Sequence, residues 1–354
     1  MTQLKQSAPR IGVLQAGPLN LISDVPGITV GHATHADAQI QTGVTVLRPH
    51  AGDLFQDKVP AAATVLNGFA KSIGLLQLDE LGVLETPIAL TNTFSVAAVA
   101  QGQVRQAIAA NPEIGRLLPT VNPLVFECND GYLNDIQAMA LTEHDYLMAF
   151  DSAQQRFGQG AIGAGRGMSC FQLKGGIGSA SRQTPGADPY TVGALVLANF
   201  GKLPMLTVGG HLVGPRLQAK IGGHDDSVEK GSIIILVATD APLDSRQLRR
   251  LSLRAGVGLS RTGSVFGHGS GDVALAFSTA YTIPHLPVRK MPCVALLHDV
   301  LLDPLFQACA EAVEQAIVNA LWSAESIQGR NGHWRTSIAD LIPDWQQWLN
   351  TTGD

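Results

Sequence analysis

Residues 222 to 239 read Gly-Gly-His-Asp-Asp-Ser-Val-Glu-Lys-Gly-Ser-Ile-Ile-Ile-Leu-Val-Ala-Thr, a polar loop that runs directly into a β-branched, apolar run. A run of this length without polar alternation predicts a strand over 232–239 buried on both faces. Such a strand needs cover on each side, so an α/β fold with two to three layers of sheet and helix is expected. Ser232 then stands where an exposed loop enters the core.

The rest of the chain agrees with that frame when read outward. Upstream, Val25-Pro-Gly-Ile-Thr-Val-Gly31 and Thr42-Gly-Val-Thr-Val-Leu-Arg48 predict two strands with a hairpin between them, and 1–20 predicts a loose N-terminal arm. Asn67-Gly68 marks a turn leading into a helix, and Ile88–Phe94 predicts a buried strand before a helix over 95–110. A strand at Leu124–Phe126 is followed by the turn Asn129-Asp-Gly131 and helical sequence at 136–141. The Gly-rich segment 160–178 predicts close backbone packing between strands rather than a phosphate cradle. Downstream, 244–258 predicts a helix capped by Asp244 with Gly256 as the stop beyond its end, Val273–Phe277 a buried strand, and 304–324 a helix with one apolar face.

Composition narrows the function. Apolar residues make up 45% and charged residues 15%, with mean hydropathy +0.14, which excludes a disordered chain. A net charge of −5 without a basic block argues against nucleic acid as a partner. Cys128, Cys170, Cys293 and Cys309 are far apart and form no metal-ligand spacing, so no metal or organic cofactor and a reducing, cytoplasmic location are expected. No apolar run approaches a membrane span, and the polar start lacks a secretory leader's apolar core.

Common catalytic signatures are missing: no HExxH, no P-loop, no GxSxG and no GxGxxG that joins a strand to a helix with an acidic residue following. The Gly231–Ser232 bond offers another chemistry, because a hydroxyl lies beside a carbonyl that no side chain shields. Attack of Ser232 Oγ on that carbonyl and hydrolysis of the ester would leave Ser232 with a free α-amine of pKa about 7.7–8.0, a usable general base. One residue would then supply both nucleophile and base.

Seven motifs in order strengthen this reading: Val25-Pro-Gly-Ile-Thr-Val-Gly-His32, Thr42-Gly-Val-Thr-Val46, Asp130-Gly-Tyr-Leu-Asn-Asp135, Ala198-Asn-Phe-Gly201, Gly231-Ser-Ile-Ile-Ile235, Ala238-Thr-Asp-Ala-Pro-Leu243 and Gly269-Ser-Gly-Asp272. With Glu314–Leu321 in the last helix, the chain from Leu21 to His333 resembles the DmpA/BapA family of L-aminopeptidase/D-esterase and β-peptidyl aminopeptidase enzymes. The resemblance implies a four-layer αββα sandwich similar to the Ntn hydrolases but with different connectivity. It implies a hydrolase domain over 21–335 that cleaves itself between Gly231 and Ser232 into chains 1–231 and 232–354, with 336–354 a C-terminal extension. It also implies a homo-oligomer, often a tetramer, acting on small peptide, amide or ester substrates with a free amine.

Carried over by position, the resemblance makes Ser232 the nucleophile, Ser270 and Asp272 its serine and acidic partners, Asn199 the oxyanion donor and Tyr132 the active-site tyrosine. The β-peptidyl branch has Glu where this chain has Asp272, so the branch stays open. Glu127 and Asp130 flank the Tyr132 turn and are candidates for holding the substrate amine, with Asp130 equally suited to capping the turn. His268 is beside Ser270 but receives no role. Two alternatives accompany this reading: an ornithine acetyltransferase-like acyl transferase, which uses threonine at the new terminus, and an uncleaved binding protein.

Overall fold

The computed structural model describes residues 8–221 and 231–350. The polar loop over 222–230, the first seven residues and 351–354 lie outside the described residues. The main strands are β1 (Thr29–Asp37), β2 (Ile40–Arg48), β3 (Asp57–Gly68), β4 (Ile88–Asn92), β5 (Leu124–Cys128), β6 (Gly176–Gln183), β7 (Thr191–Asn199), β8 (Ser232–Thr239) and β9 (Gly271–Ser278). The main helices are α1 (Val96–Ala110), α2 (Glu143–Asp151), α3 (Ser245–Arg261) and α4 (Asp303–Trp322).

Two sheets are stacked. One has the order β1-β2-β4-β5; the other runs β3-β9-β8-β7-β6, with the short strands Val83–Leu84 and Ile283–Pro284 paired to β3. All these pairings are antiparallel except β4–β5 and β8–β9. The strand read first from sequence, β8, shows why two sheets and outer helices are needed. Its Ile234, Leu236 and Ala238 join Leu90, Phe126, Leu195 and Leu275 in the core between the sheets. Ile233, Ile235 and Val237 face the other way, into the core shared with Leu251 and Leu259 of α3 and Val313 and Ile317 of α4. On the far side, Val44, Val46, Ala89 and Val125 pack with Val99 of α1 and Tyr146 of α2. The result is a four-layer αββα sandwich, as expected from the resemblance.

Several local expectations are corrected. Residues 8–20 are packed, not loose: Ile11 and Leu14 are buried, and their N–H groups donate to Gln315 Oε1 and Glu311 Oε2 of α4 at 2.7 and 2.9 Å. The segment after 335 also joins the body, through buried Ile338 and Ile342. Gly256 lies inside α3, which continues to Arg261 because Leu259 carries the buried stripe onward. Asp244 does cap that helix, accepting from Gln247 N at 2.7 Å. In the Gly-rich segment, a Cβ on Gly178 would fall 1.9 Å from the Ala316 carbonyl, so its glycine lets β6 lie against α4.

Candidate active site

The site forms where β7, β8 and β9 reach one end of the sandwich. Ser232 is the first residue of β8 and pairs across the ladder with Asn199, the last of β7. Directly opposed residues in an antiparallel pair have Cβ atoms about 5 Å apart on one face, so the Ser232 hydroxyl and the Asn199 amide are neighbours. The preceding residue must be glycine: a Cβ on Gly231 would lie 2.2 Å from the Asn199 carbonyl oxygen and 2.6 Å from Phe200 Cα. This close approach holds the Gly231–Ser232 peptide against β7.

The hydroxyl is held from the other side. Gly271 N–H donates to Ser232 Oγ at 3.1 Å, which places the Ser232 hydroxyl against the start of β9. Ser270 Oγ donates to Asp272 Oδ1 at 2.5 Å, and all three of Ser232, Ser270 and Asp272 are buried. A register irregularity between Asp272 and Val273 breaks the strand alternation at this point, and bulges commonly re-aim side chains beside active sites. Asn67 Nδ2 braces the approach to Ser270 by donating to the Gly267 carbonyl at 2.6 Å, and Ser270 N–H donates to the same carbonyl at 2.9 Å. His268 is exposed.

Asn199 has a fixed orientation. Its Oδ1 accepts from Ser169 N–H at 2.8 Å and its Nδ2 donates to the Asn129 carbonyl at 2.9 Å. An amide nitrogen has two N–H donors, so one is left for an acyl oxygen. Tyr132 is partly exposed at 39%, so it is not a core ring. It stacks on His333 with centroids 4.6 Å apart, and the Arg335 guanidinium lies 3.6 Å from its centroid. Arg335 Nε also donates to Ser169 Oγ at 3.2 Å, which ties the tyrosine to the segment holding Asn199.

The two candidate amine-binding carboxylates separate. Asp130 is buried, its oxygens accept from Thr42 Oγ1 at 2.6 Å and Asn134 Nδ2 at 3.0 Å, and its backbone carbonyl accepts from Leu133 and Asn134 N–H. Burial pushes its carboxyl up to about 6 against these hydrogen bonds. Its geometry is that of a turn organiser. Glu127, at the end of β5, accepts from Lys71 N–H at 2.8 Å through Oε1 and from the Thr93 hydroxyl through Oε2. Lys71 lies in the irregular segment just after β3, in which Phe69 N–H donates to the Ser270 carbonyl, so Glu127 is joined to the surroundings of Ser232 by a short piece of chain.

Four groups escaped the sequence reading. Cys128 donates its thiol to the Ser232 carbonyl at 3.4 Å, and burial raises its pKa well above the usual range, keeping it a neutral donor. The Gly271 and Ser169 N–H groups are backbone donors that no residue-type pattern marks. Lys174 could have been noticed as a lone charge between Leu173 and Gly175-Gly176. Among the described residues, no three His, Cys, Asp or Glu side chains are grouped so as to hold a metal ion, and no helix is long and apolar enough to cross a membrane.

A serine at the mouth of a buried strand, an amide facing it and a layered αββα body define the class of hydrolases that use an N-terminal nucleophile. Within that class the chain belongs to peptidase family S58, whose model matches residues 20–335. It is 36% identical over 339 residues to the β-peptidyl aminopeptidase BapA of Sphingosinicella xenopeptidilytica, covering 89% of this chain and 83% of that protein. Among solved structures, it is similar to the PH0078 protein from Pyrococcus horikoshii OT3, with a TM-score of 0.92, 44% identity and 98% of each chain covered. The L-aminopeptidase D-Ala-esterase/amidase from Ochrobactrum anthropi, described as a variant of the Ntn hydrolase fold, superposes with a TM-score of 0.85 at 32% identity, covering 96% of this chain and 97% of that one.

Proposed function

We propose that this aminopeptidase activates itself at Gly231–Ser232 and then removes single, small N-terminal residues from short peptides, amides or esters through an acyl-enzyme on Ser232. The observation that carries the reading is the placement of Ser232, with Oγ held by Gly271 N–H, opposite Asn199 and beside the Ser270–Asp272 pair. In the first step Oγ attacks the Gly231 carbonyl carbon, its proton passes to the Ser232 nitrogen, and the C–N bond breaks to give an ester. Water then hydrolyses the ester, leaving a Gly231 carboxylate and a free Ser232 amine and hydroxyl.

In turnover the new α-amine takes the proton from Oγ as the oxygen attacks the substrate's acyl carbon. Asn199 Nδ2 donates to the developing oxyanion, a contribution of about 2.7–4 kcal/mol where one such donor has been removed. The protonated amine returns its proton to the leaving group, and water releases the acid. Ser270 and Asp272 hold the amine in place, and Tyr132 borders the acyl group. The two pieces stay together because Ile233–Val237 are fully buried, a contribution on the order of 10 kcal/mol at about 1.5–3 kcal/mol per large apolar side chain.

The substrate class is tested with p-nitroanilides of L-alanine, D-alanine and β-alanine. Hydrolysis of at least one is expected, with a rate that rises with pH through about 7.7–8.0 as the α-amine loses its proton. No hydrolysis of any of the three by fully processed protein would overturn the aminopeptidase reading.

Assembly into a homo-oligomer, a tetramer by the resemblance, is part of the same proposal. Residues 285–301 form a strap without strand structure, ending in a helical turn at Asp299–Leu301, that exposes Val288 at 84%, Met291 at 65% and Val300 at 74%. Large apolar side chains exposed together along one segment are characteristic of interfaces, and further copies of this chain are the occupant proposed here. Val288→Glu with Met291→Glu is expected to lower the molar mass measured by light scattering. An unchanged mass would remove the strap from the interface.

A further inference from the structure

Lys174 is fully buried, in the short stretch between the Gly-rich turn and β6. Its Nζ donates to three backbone carbonyls, those of Gly175 at 2.7 Å, Met168 at 2.8 Å and Gly165 at 3.0 Å. Three acceptors ask for three N–H donors, which among lysine's forms only the ammonium supplies. Burying an ammonium is costly, and burial here pulls its pKa down to about 7, with Arg166 pushing the same way and Cys170, Glu325 and Asp130 opposing. A group retained in such surroundings fixes whatever it is bonded to.

What it fixes adjoins the site. Met168 is followed by Ser169, whose N–H holds Asn199 Oδ1. The Met168 carbonyl also accepts from Gly175 N–H at 3.2 Å, and Lys174 N–H is anchored by the Thr336 carbonyl at 2.9 Å. The lysine therefore gathers 165, 168 and 175 into one cluster whose next residue sets the angle of the Asn199 amide. We infer that Lys174 is a positioning residue for the oxyanion donor, acting on the reaction through Met168, Ser169 and the Asn199 side chain. This inference rests on the role given to Asn199 above.

The test is a double-mutant cycle on processed enzyme, with kcat and KM for a free-amine p-nitroanilide taken per mole of small chain. Asn199→Ala is expected to lower kcat about 10²–10³-fold. Lys174→Met is expected to lower kcat about 10²-fold with KM nearly unchanged, the scale of loss when a reacting group is misplaced by about 1 Å. In the double variant the second change should add little, because the lysine acts through an amide already removed. Multiplied effects in the double variant, or an unchanged kcat in Lys174→Met, would overturn the inference. A full rate in Asn199→Ala would instead overturn the donor assignment itself. If Lys174→Met does not fold, Lys174→Gln is read in the same cycle, and failure of both to fold would assign the lysine to stability and overturn its positioning role.

Discussion

Ser232→Ala is expected to purify as one 37.3 kDa chain and to lose at least about 10⁵-fold in kcat/KM toward every amide the wild type cleaves. The loss is larger than for any other single change because the substitution removes two functions together. Without Oγ the Gly231 carbonyl has no attacking group, so no α-amine is released to serve as base. Without processing, even an otherwise intact oxyanion donor and pocket have no nucleophile to assist. Folding should be spared, since Ser232 Oγ accepts one hydrogen bond, from Gly271 N–H, and Ile233–Val237 keep the strand in the core. A gel and a progress curve on the same preparation check both halves of the expectation. Processing or near-normal turnover in this variant would place the nucleophile elsewhere.

The second large effect concerns the substrate's amine. An aminopeptidase built to bind a charged amine should reject the N-acetyl form of the same substrate by about 10⁴-fold or more, because the site's buried acceptors are left unpaired. Glu127 is the residue proposed to carry this selectivity. Its carboxylate is oriented by Lys71 N–H and Thr93, while each oxygen keeps a further lone pair for the amine. Glu127→Gln is expected to reduce the ratio of kcat/KM for free and acetylated alanine p-nitroanilide by about 10²-fold, the cost of losing one charge-assisted partner. Asp130→Asn should leave that ratio unchanged, because Asp130 is engaged with Thr42 and Asn134. Equal cleavage of free and blocked forms by wild type would refute the aminopeptidase reading. An unchanged ratio in Glu127→Gln would remove only that residue.

How far the sequence could lead depended on whether a feature is written in residue type. The apolar run 232–239 demanded cover on both faces, and the structure supplies it with a second sheet on one side and α3 and α4 on the other. Asn199, Ser232, Ser270 and Asp272 could be proposed from ordered motifs because what they offer lies in their side chains, and the fold brings them to one end of the sheet. The packing of 8–20 was hidden because its anchors are backbone N–H groups meeting Gln315 and Glu311, 304 and 297 residues away. Gly256 misled as a helix stop, since a glycine that lets α3 pass close to Leu66 looks in sequence like one that ends a helix. Glu127 and Asp130 could not be told apart by spacing, because their roles follow from which donors the turn brings to each carboxylate. Lys174 stood out in sequence only as a lone charge among apolar and glycine residues, and what it binds could not be read because its partners are main-chain carbonyls.

The central claim, that one residue becomes both nucleophile and base by self-cleavage, is tested most directly by N-terminal sequencing of the purified wild-type protein together with its intact mass. Two co-purifying chains are expected, the smaller beginning Ser-Ile-Ile-Ile-Leu from Ser232. A single intact 37.3 kDa chain that still hydrolyses amides, or a smaller chain beginning at any other residue in active protein, would contradict it.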